Sequence, residues 1–208
     1  MSHPGLSPGP VDSGTNRDRP DPTPSWVENL SAALAVNHPR NAQIHADQTD
    51  QTDRDRRQPS AVLVALVDTP IGPQLLLTRR ATTLNDYPGY ISLPGGSVEP
   101  ADRSPVDTAL REAVEETGLD SRSVQVIGQL PERPAGASHT VIPVVAWSSG
   151  LRFVSRSNPG EVTEVTLVPL AELVKPTSPQ AGSLPSDVGP IGPMTAELIA
   201  EIAAGCEV

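Results

Sequence analysis

The chain has 208 residues, enough for one domain with a tail or for two small domains, and its formal net charge is −10. A uniformly acidic surface repels polyanions, so nucleic acid is excluded as an expected partner. A single cysteine, Cys206, excludes an intrachain disulfide and points to a cytoplasmic setting; the longest apolar run, residues 61–67, is far shorter than the about 20 residues of a membrane span, and no basic-then-apolar leader opens the chain.

Residues 1–58 are rich in Pro, Asp, Arg, Gln, Ser and Thr and poor in large apolar side chains. Such a stretch cannot bury enough surface to offset its ordering entropy, and it reads as a largely disordered tail. One short helix near residues 26–36 interrupts it. Ser25 is its expected cap, with Glu28 three residues on as in a capping box. Trp26, Leu30, Ala33 and Leu34 recur at helical spacing, so this helix is expected to pack on the main domain. Residues 41–58 read as a polar linker. The main domain is expected over residues 59–206.

Within that domain, residues 61–67 form a continuous β-rich run, the signature of a buried strand. Pro and Gly in 68–73 predict a turn, and 74–78 a second strand, so the two can form a hairpin. Residues 87–93 lead into Pro94-Gly95-Gly96. The strongest helix covers 104–117. Strands follow near 124–130, 141–147, 152–154 and 162–168, and a last helix covers 194–204 with Gly205 as its stop. Strands outnumber helices and few helices act as crossovers. The expected class is α+β, with a mixed β-sheet and helices on its faces.

The helix at 104–117 has punctuation at both ends. Ser104 suits the N-cap, Pro105 the first helical position, Asp107 the positive end of the dipole and Gly118 the C′ position. At about 100° per residue, Val106, Ala109, Leu110, Ala113 and Val114 make an apolar stripe, and Glu112, Glu115 and Glu116 fall on another, solvated face. Adjoining carboxylates repel, and like pairs at i,i+4 cost a few tenths of a kcal/mol. Arg111 can reach Glu115 at i,i+4. A divalent cation compensates more fully, because Mg²⁺ prefers hard carboxylate oxygens together with substrate phosphates. An isolated Glu-rich helix is ordinarily just a solvated face. The glycine pair just upstream, which lets backbone approach a ligand closely, makes the combination more specific than either part.

Residues 96–119, with Arg111-Glu112-Ala113-Val114-Glu115-Glu116-Thr117-Gly118-Leu119, resemble the Nudix box. The spacing from Gly96 to Arg111 is one residue longer than the common form and resembles the coenzyme A pyrophosphatase branch. Leu76-Leu77-Thr78-Arg79-Arg80-Ala81, Gly89, Asp102, residues 141–145, Glu161-Val162 and Met194-Thr195-Ala196 are similar to that branch as well. The resemblance implies a Nudix-like α/β/α sandwich and a Mg²⁺- (or Mn²⁺-) dependent pyrophosphohydrolase. It implies Glu112 and Glu116 as metal ligands with the Gly96 carbonyl, Glu115 as a further ligand or positioning group, and Arg111 as the partner of a carboxylate. Glu161 is the candidate base, Glu164 the second, and ordinary surface charge is an equal alternative for both. Arg79, Arg80 and Gly95 are candidate substrate contacts.

The implied substrate is coenzyme A or acyl-CoA, cut to adenosine 3′,5′-bisphosphate and phosphopantetheine. Differences from the branch at Asn85, Leu93 and Gly192 keep open another nucleoside diphosphate conjugate, such as NADH or ADP-ribose. A Nudix-like binding module without turnover is the third reading. The expected partner is a small nucleotide conjugate, with a homodimer left open and neither nucleic acid nor membrane. His139 reads as solvent-exposed, Trp147 as core, and Cys206 as no nucleophile.

Overall fold

The computed structural model describes residues 23–37, 57–136, 138–153, 160–174 and 189–206. The readings of 1–22 as tail and of 41–56 as linker fall outside these residues.

The centre of the fold is β1 (Gln58–Val67), whose apolar run is buried on both faces. It pairs in parallel with β7 (His139–Ser148) along its whole length, from Gln58 opposite His139 to Val67 opposite Ser148. It meets β2 (Gln74–Arg80) antiparallel at Leu66/Leu75 and Val67/Gln74, which is the expected hairpin. Its first half pairs antiparallel with β4 (Gly95–Ser97). On the β2 side lie β3 (Ile91–Ser92) and β8 (Val162–Pro169). On the far side of the sheet, β5 (Gln125–Gln129) and β6 (Arg133–Ala135) pair with β7. The sheet is therefore mixed, as the strand-rich pattern predicts.

Successive side chains of a strand point to opposite faces, and this divides the core in two. Ala61, Leu63 and Ala65 pack with Leu76, Val144 and Ala146 against Ala109 and Ala113 of helix α2 (Pro105–Thr117). Val62, Val64 and Leu66 pack with Leu75, Leu77 and Val145 against the other layer. That layer holds α1 (Ser25–Asn37), the single turn α3 (Leu170–Leu173) and α4 (Pro193–Gly205), through Leu30, Leu34, Leu170, Leu198, Ile199 and Ile202. The architecture is an α/β/α sandwich of the α+β class.

Several local expectations are revised. The first helix begins at Ser25 itself, and the Pro24 carbonyl accepts from the Val27 and Glu28 amides, so Ser25 lies inside the first turn rather than ahead of it. Val27, Leu30 and Leu34 form its buried line, while Trp26 is only partly buried and donates to Asp68 Oδ1 at 3.1 Å. Gly205 does not stop the last helix with a left-handed cap. It is the last helical residue, followed by right-handed Cys206, and a Cβ on it would come within 2.7 Å of Leu30 Cδ1. Its smallness serves helix packing. In place of the expected strand at 152–154, Phe153 makes one bridge to Leu119, and residue 154 is outside the described set.

Candidate functional site

Helix α2 is built by its caps. Ser104 Oγ accepts the Asp107 amide at 3.2 Å, a proline opens the first turn, and Gly118 at φ 73° closes the last by donating to the Val114 carbonyl. Those three sequence signals all act where the spacing puts them.

The orientation of the helix differs from expectation. The acidic face is not fully solvated: Glu116 is 7% exposed and Glu112 is largely covered, while Val114 lies outside the apolar cluster. The reason is geometric. Glu116 follows Ala113 by three residues and Ala109 by seven, so it continues the buried line rather than opposing it. The strand β4 then lies across that line, and the Gly95 amide donates to Glu116 Oε2 at 3.1 Å. Glu115, by contrast, is half exposed.

Burial pushes Glu116 up to about 8. The Gly95 amide and the charge of Arg80 oppose this rise, and the charges of Glu112 and Glu161 add to it. Glu112 is also raised, first by burial and then by Glu115 and Glu161, against the pull of Arg111. Two oxygen-donor side chains are thus held out of water with too little positive charge between them. The Gly96 backbone touches the same place, since a Cβ there would lie 2.4 Å from Glu112 Oε1. Among the described residues, no three His, Cys, Asp or Glu side chains converge into a closed metal cage. Two carboxylates beside a backbone strand make an open set. That fits Mg²⁺, which keeps waters and takes phosphate oxygens rather than filling its shell with protein.

Arg111 is the hub of the loop between β4 and α2. Its Nε and Nη2 form a fork on Asp102 at 3.1 and 3.0 Å, and Nη2 also donates to the Ser97 carbonyl at 2.9 Å. Its Nη1 reaches Glu112 Oε1 at 2.9 Å and Glu115 Oε2 at 3.3 Å. Asp102 further accepts from the Glu99 amide and the Thr108 hydroxyl, each at 2.9 Å. The fork holds the Asp102 carboxyl well below the usual carboxylate range and raises Arg111 in turn. Asp102 as the principal partner of Arg111 is not legible from helical spacing, because it precedes the helix.

The two adjacent arginines separate. Arg80 shares strand parity with Leu76 and Thr78, on the α2 face, and its charge is felt by Glu116. Its Nε donates to the Asp86 carbonyl at 3.1 Å. Arg79 shares parity with Leu75 and Leu77, on the opposite face, and pairs at 2.8 Å with Glu164, directly across on β8. The register slips by one residue on β8 at Thr163, so Val162 rather than Thr163 faces Arg80. Glu161 precedes that bulge, exposed just ahead of the strand, with its carbonyl accepting the Ala81 amide at 2.8 Å. Of the two candidate bases, Glu164 is engaged by Arg79, whereas the charge of Glu161 acts on both Glu112 and Glu116.

The remaining candidates are quickly placed. Trp147 is buried, as a core residue is. His139 is part of β7, with its Nδ1 3.0 Å from Ser138 Oγ. Cys206 is buried, which pushes its thiol up to about 11 and makes it a poor nucleophile near neutral pH. Among the described residues, no helix is long and apolar enough to cross a membrane.

The chain is similar to known proteins. Over 125 residues the chain is 40% identical to the NudL Nudix hydrolase of Photorhabdus laumondii, which covers 60% of this chain and 65% of the relative. It is 32% identical over 158 residues to Nudix hydrolase 3 of Caenorhabditis elegans, covering 74% of this chain and 62% of that one. The matches therefore span less than two thirds of the length of these relatives. Among solved structures, the Nudix hydrolase RenU from M. smegmatis superposes with a TM-score of 0.52 at 22% identity, covering 71% of this chain and 87% of that chain. A NUDIX hydrolase from Alicyclobacillus acidocaldarius gives 0.51 at 18% identity, covering 71% and 91%. Both show the fold. Residues 56–186, which carry β1, the glycine strand and the acidic helix, match the family model described as NUDIX domain, and to that family the chain belongs.

Proposed function

We propose that the protein hydrolyses the pyrophosphate linkage of a nucleoside diphosphate conjugate, with coenzyme A or its acyl derivatives as the substrate. The observation that carries this reading is the pair Glu112 and Glu116, one partly and one fully buried against the Gly95–Ser97 strand and both raised by that burial. Glu112, Glu116 and the Gly96 carbonyl would hold a divalent ion, Mg²⁺ or Mn²⁺. When bound, such an ion neutralises diphosphate charge and makes a coordinated water more acidic.

The chain's own residues do the rest. Glu161 takes a proton from the attacking water, whose oxygen bonds to phosphorus as the bridging P–O bond breaks. Arg80, on the α2 face, faces the diphosphate charge. Arg79 keeps β2 and β8 together through Glu164 and stands away from the acids. Arg111 is a positioning residue: it fixes the carboxylate of Glu112 and ties the Ser97 and Asp102 loop to the helix. Glu115, exposed and reached by Arg111, supports that position from outside. Gly95 acts through its amide, which orients Glu116.

Arg111→Lys keeps the charge and loses the fork. The expected outcome is a fall in kcat of about tenfold or more, with KM little changed, because the substrate is not touched while Glu112 is left loosely held. Steady-state kinetics of the purified variant check this. A fall confined to KM would make Arg111 a substrate contact instead.

The substrate itself is tested by incubating the full chain with Mg²⁺ and coenzyme A, NADH or ADP-ribose, and weighing the products. Phosphopantetheine with adenosine 3′,5′-bisphosphate supports the coenzyme A reading. Nucleoside monophosphates from the other two favour the wider conjugate class, which the differences at Asn85 and Leu93 leave room for. Absence of any product at all contradicts hydrolysis.

A further inference from the structure

The chain holds only two tyrosines, Tyr87 and Tyr90, and the structure brings them together in one turn bonded to Arg80. Tyr87-Pro88-Gly89-Tyr90 is a tight turn in which the Tyr90 amide donates to the Tyr87 carbonyl at 3.2 Å. Pro88 at the second position and Gly89 at the third, with φ 75°, are what a type II turn requires. The rings meet edge to face, with centroids 5.4 Å apart and planes at 69°. Tyr87 is 48% exposed and sits at φ 51°, a left-handed backbone that a bulky residue seldom adopts. Such outliers persist where the surroundings enforce them, and they concentrate at binding sites.

The surroundings here are the two arginines. The Arg80 amide donates to the Tyr90 carbonyl at 2.9 Å, and the Gly89 amide to the Arg80 carbonyl at 3.2 Å. Arg80 Nε holds the Asp86 carbonyl at 3.1 Å, and Arg79 Nη1 reaches the Gly89 carbonyl at 3.4 Å. The turn is pinned to the end of β2, next to the residue whose charge acts on Glu116. From Tyr90 to Gly95 the chain runs five residues, at most about 17 Å when extended. Arg80 thus links the acid pair to the aromatic pair, through its charge on Glu116 on one side and its hydrogen bonds to the turn on the other, the sequence in which an extended nucleotide presents diphosphate and base.

We propose that Tyr87 and Tyr90 form the platform on which the substrate's nucleobase stacks, so that the site selects diphosphate conjugates bearing an aromatic base over those without one. The proposal deepens the hydrolase reading above and rests on it for the location of the diphosphate. Stacking of a base on an aromatic side chain changes affinity by about 5- to 150-fold.

The test uses adenosine monophosphate and ribose 5-phosphate, which differ only in the base, titrated into the full chain without turnover. With ring-labelled tyrosine the protein gives two sets of tyrosine signals. Both are expected to shift with the nucleotide and to stay in place with the sugar phosphate, and calorimetry should show the nucleotide bound at least fivefold more tightly. Tyr87→Asn, which tolerates the left-handed backbone but lacks the ring, should bring that ratio close to one, and Tyr87→Phe should retain it. Tyrosine signals unmoved by the nucleotide, equal binding of the two probes by the parent, or an unchanged ratio in Tyr87→Asn would each overturn the proposal. Failure of the hydrolase reading has a different signature: no turnover of any conjugate with Mg²⁺, while the base preference in this titration persists.

Discussion

Glu116→Gln is expected to lower turnover by at least about a hundredfold, a barrier increase of roughly 2.7 kcal/mol or more, while leaving the metal-free protein folded. The amide oxygen can still accept from the Gly95 amide, so the strand stays docked on the helix. What the variant loses is the negative charge that would grip the ion. The same substitution carries a second, independent signature in chelator. Glu116 in the folded protein is pushed up to about 8 from an ordinary 4.5. Below pH 4.5 folded and unfolded chains both hold this proton, and the stability it confers is fully present. Between 4.5 and 8 only the folded protein holds it, so stability falls as pH rises, by on the order of a few kcal/mol in all. The melting temperature of the parent in chelator should therefore drop across that window, that of Glu116→Gln should drop less, keeping only the smaller fall due to Glu112, and the variant should be the more stable of the two at pH 8.5. Saturating Mg²⁺ should restore the parent, because the ion binds the folded, ionised site, and should do little for the variant. A variant with full turnover, or one that unfolds, contradicts the assignment.

The adjacent glycines should answer substitution in opposite ways. A Cβ on Gly95 would lie 2.4 Å from the Ala61 carbonyl oxygen and 2.7 Å from Val62 Cα, both backbone atoms of the central strand. Neither can retreat without breaking the β1–β4 pairing, so Gly95→Ala should destabilise the fold by roughly 3 kcal/mol or more and free Glu116 from its amide. The nearest atoms a Cβ on Gly96 would meet are those of the Glu112 carboxylate, at 2.4 Å from Oε1. That end of a side chain can swing aside. Gly96→Ala should therefore melt within a few degrees of the parent yet lose activity at least about tenfold, because Glu112 leaves its place. Thermal denaturation and turnover measured on both variants separate these outcomes. Equal melting temperatures for the two would show that β4 does not lie tightly on β1.

Both predictions depend on features that differ in how far the sequence reveals them. The caps of α2 are written locally: Ser104, Pro105 and Gly118 act through bonds to residues three or four positions away. The two-faced burial of β1 is legible too, since a continuous apolar run must be covered on both sides. The β1–β2 hairpin follows from the turn residues between its strands. The Tyr87–Tyr90 turn is not among the expected elements, and nothing in the sequence places it beside Arg80. The pairing of Arg111 with Asp102 spans the start of the helix, where spacing rules for helix faces do not apply.

By itself the sequence determined the acidic helix, its ends, the glycine pair before it and the α+β class, because each rests on patterns among near neighbours in the chain; that the glycines form a strand was decided by pairing with β1. Only the tertiary structure decided that Glu116 is buried, that Arg79 and Arg80 serve opposite faces, and that Glu164 pairs with Arg79 while the charge of Glu161 is felt by Glu112 and Glu116. Helical and strand periods state which residues share a face; they do not state what covers it. Here the cover is β4 across α2 and β8 with its bulge along β2, both made by pairings between residues far apart in the chain.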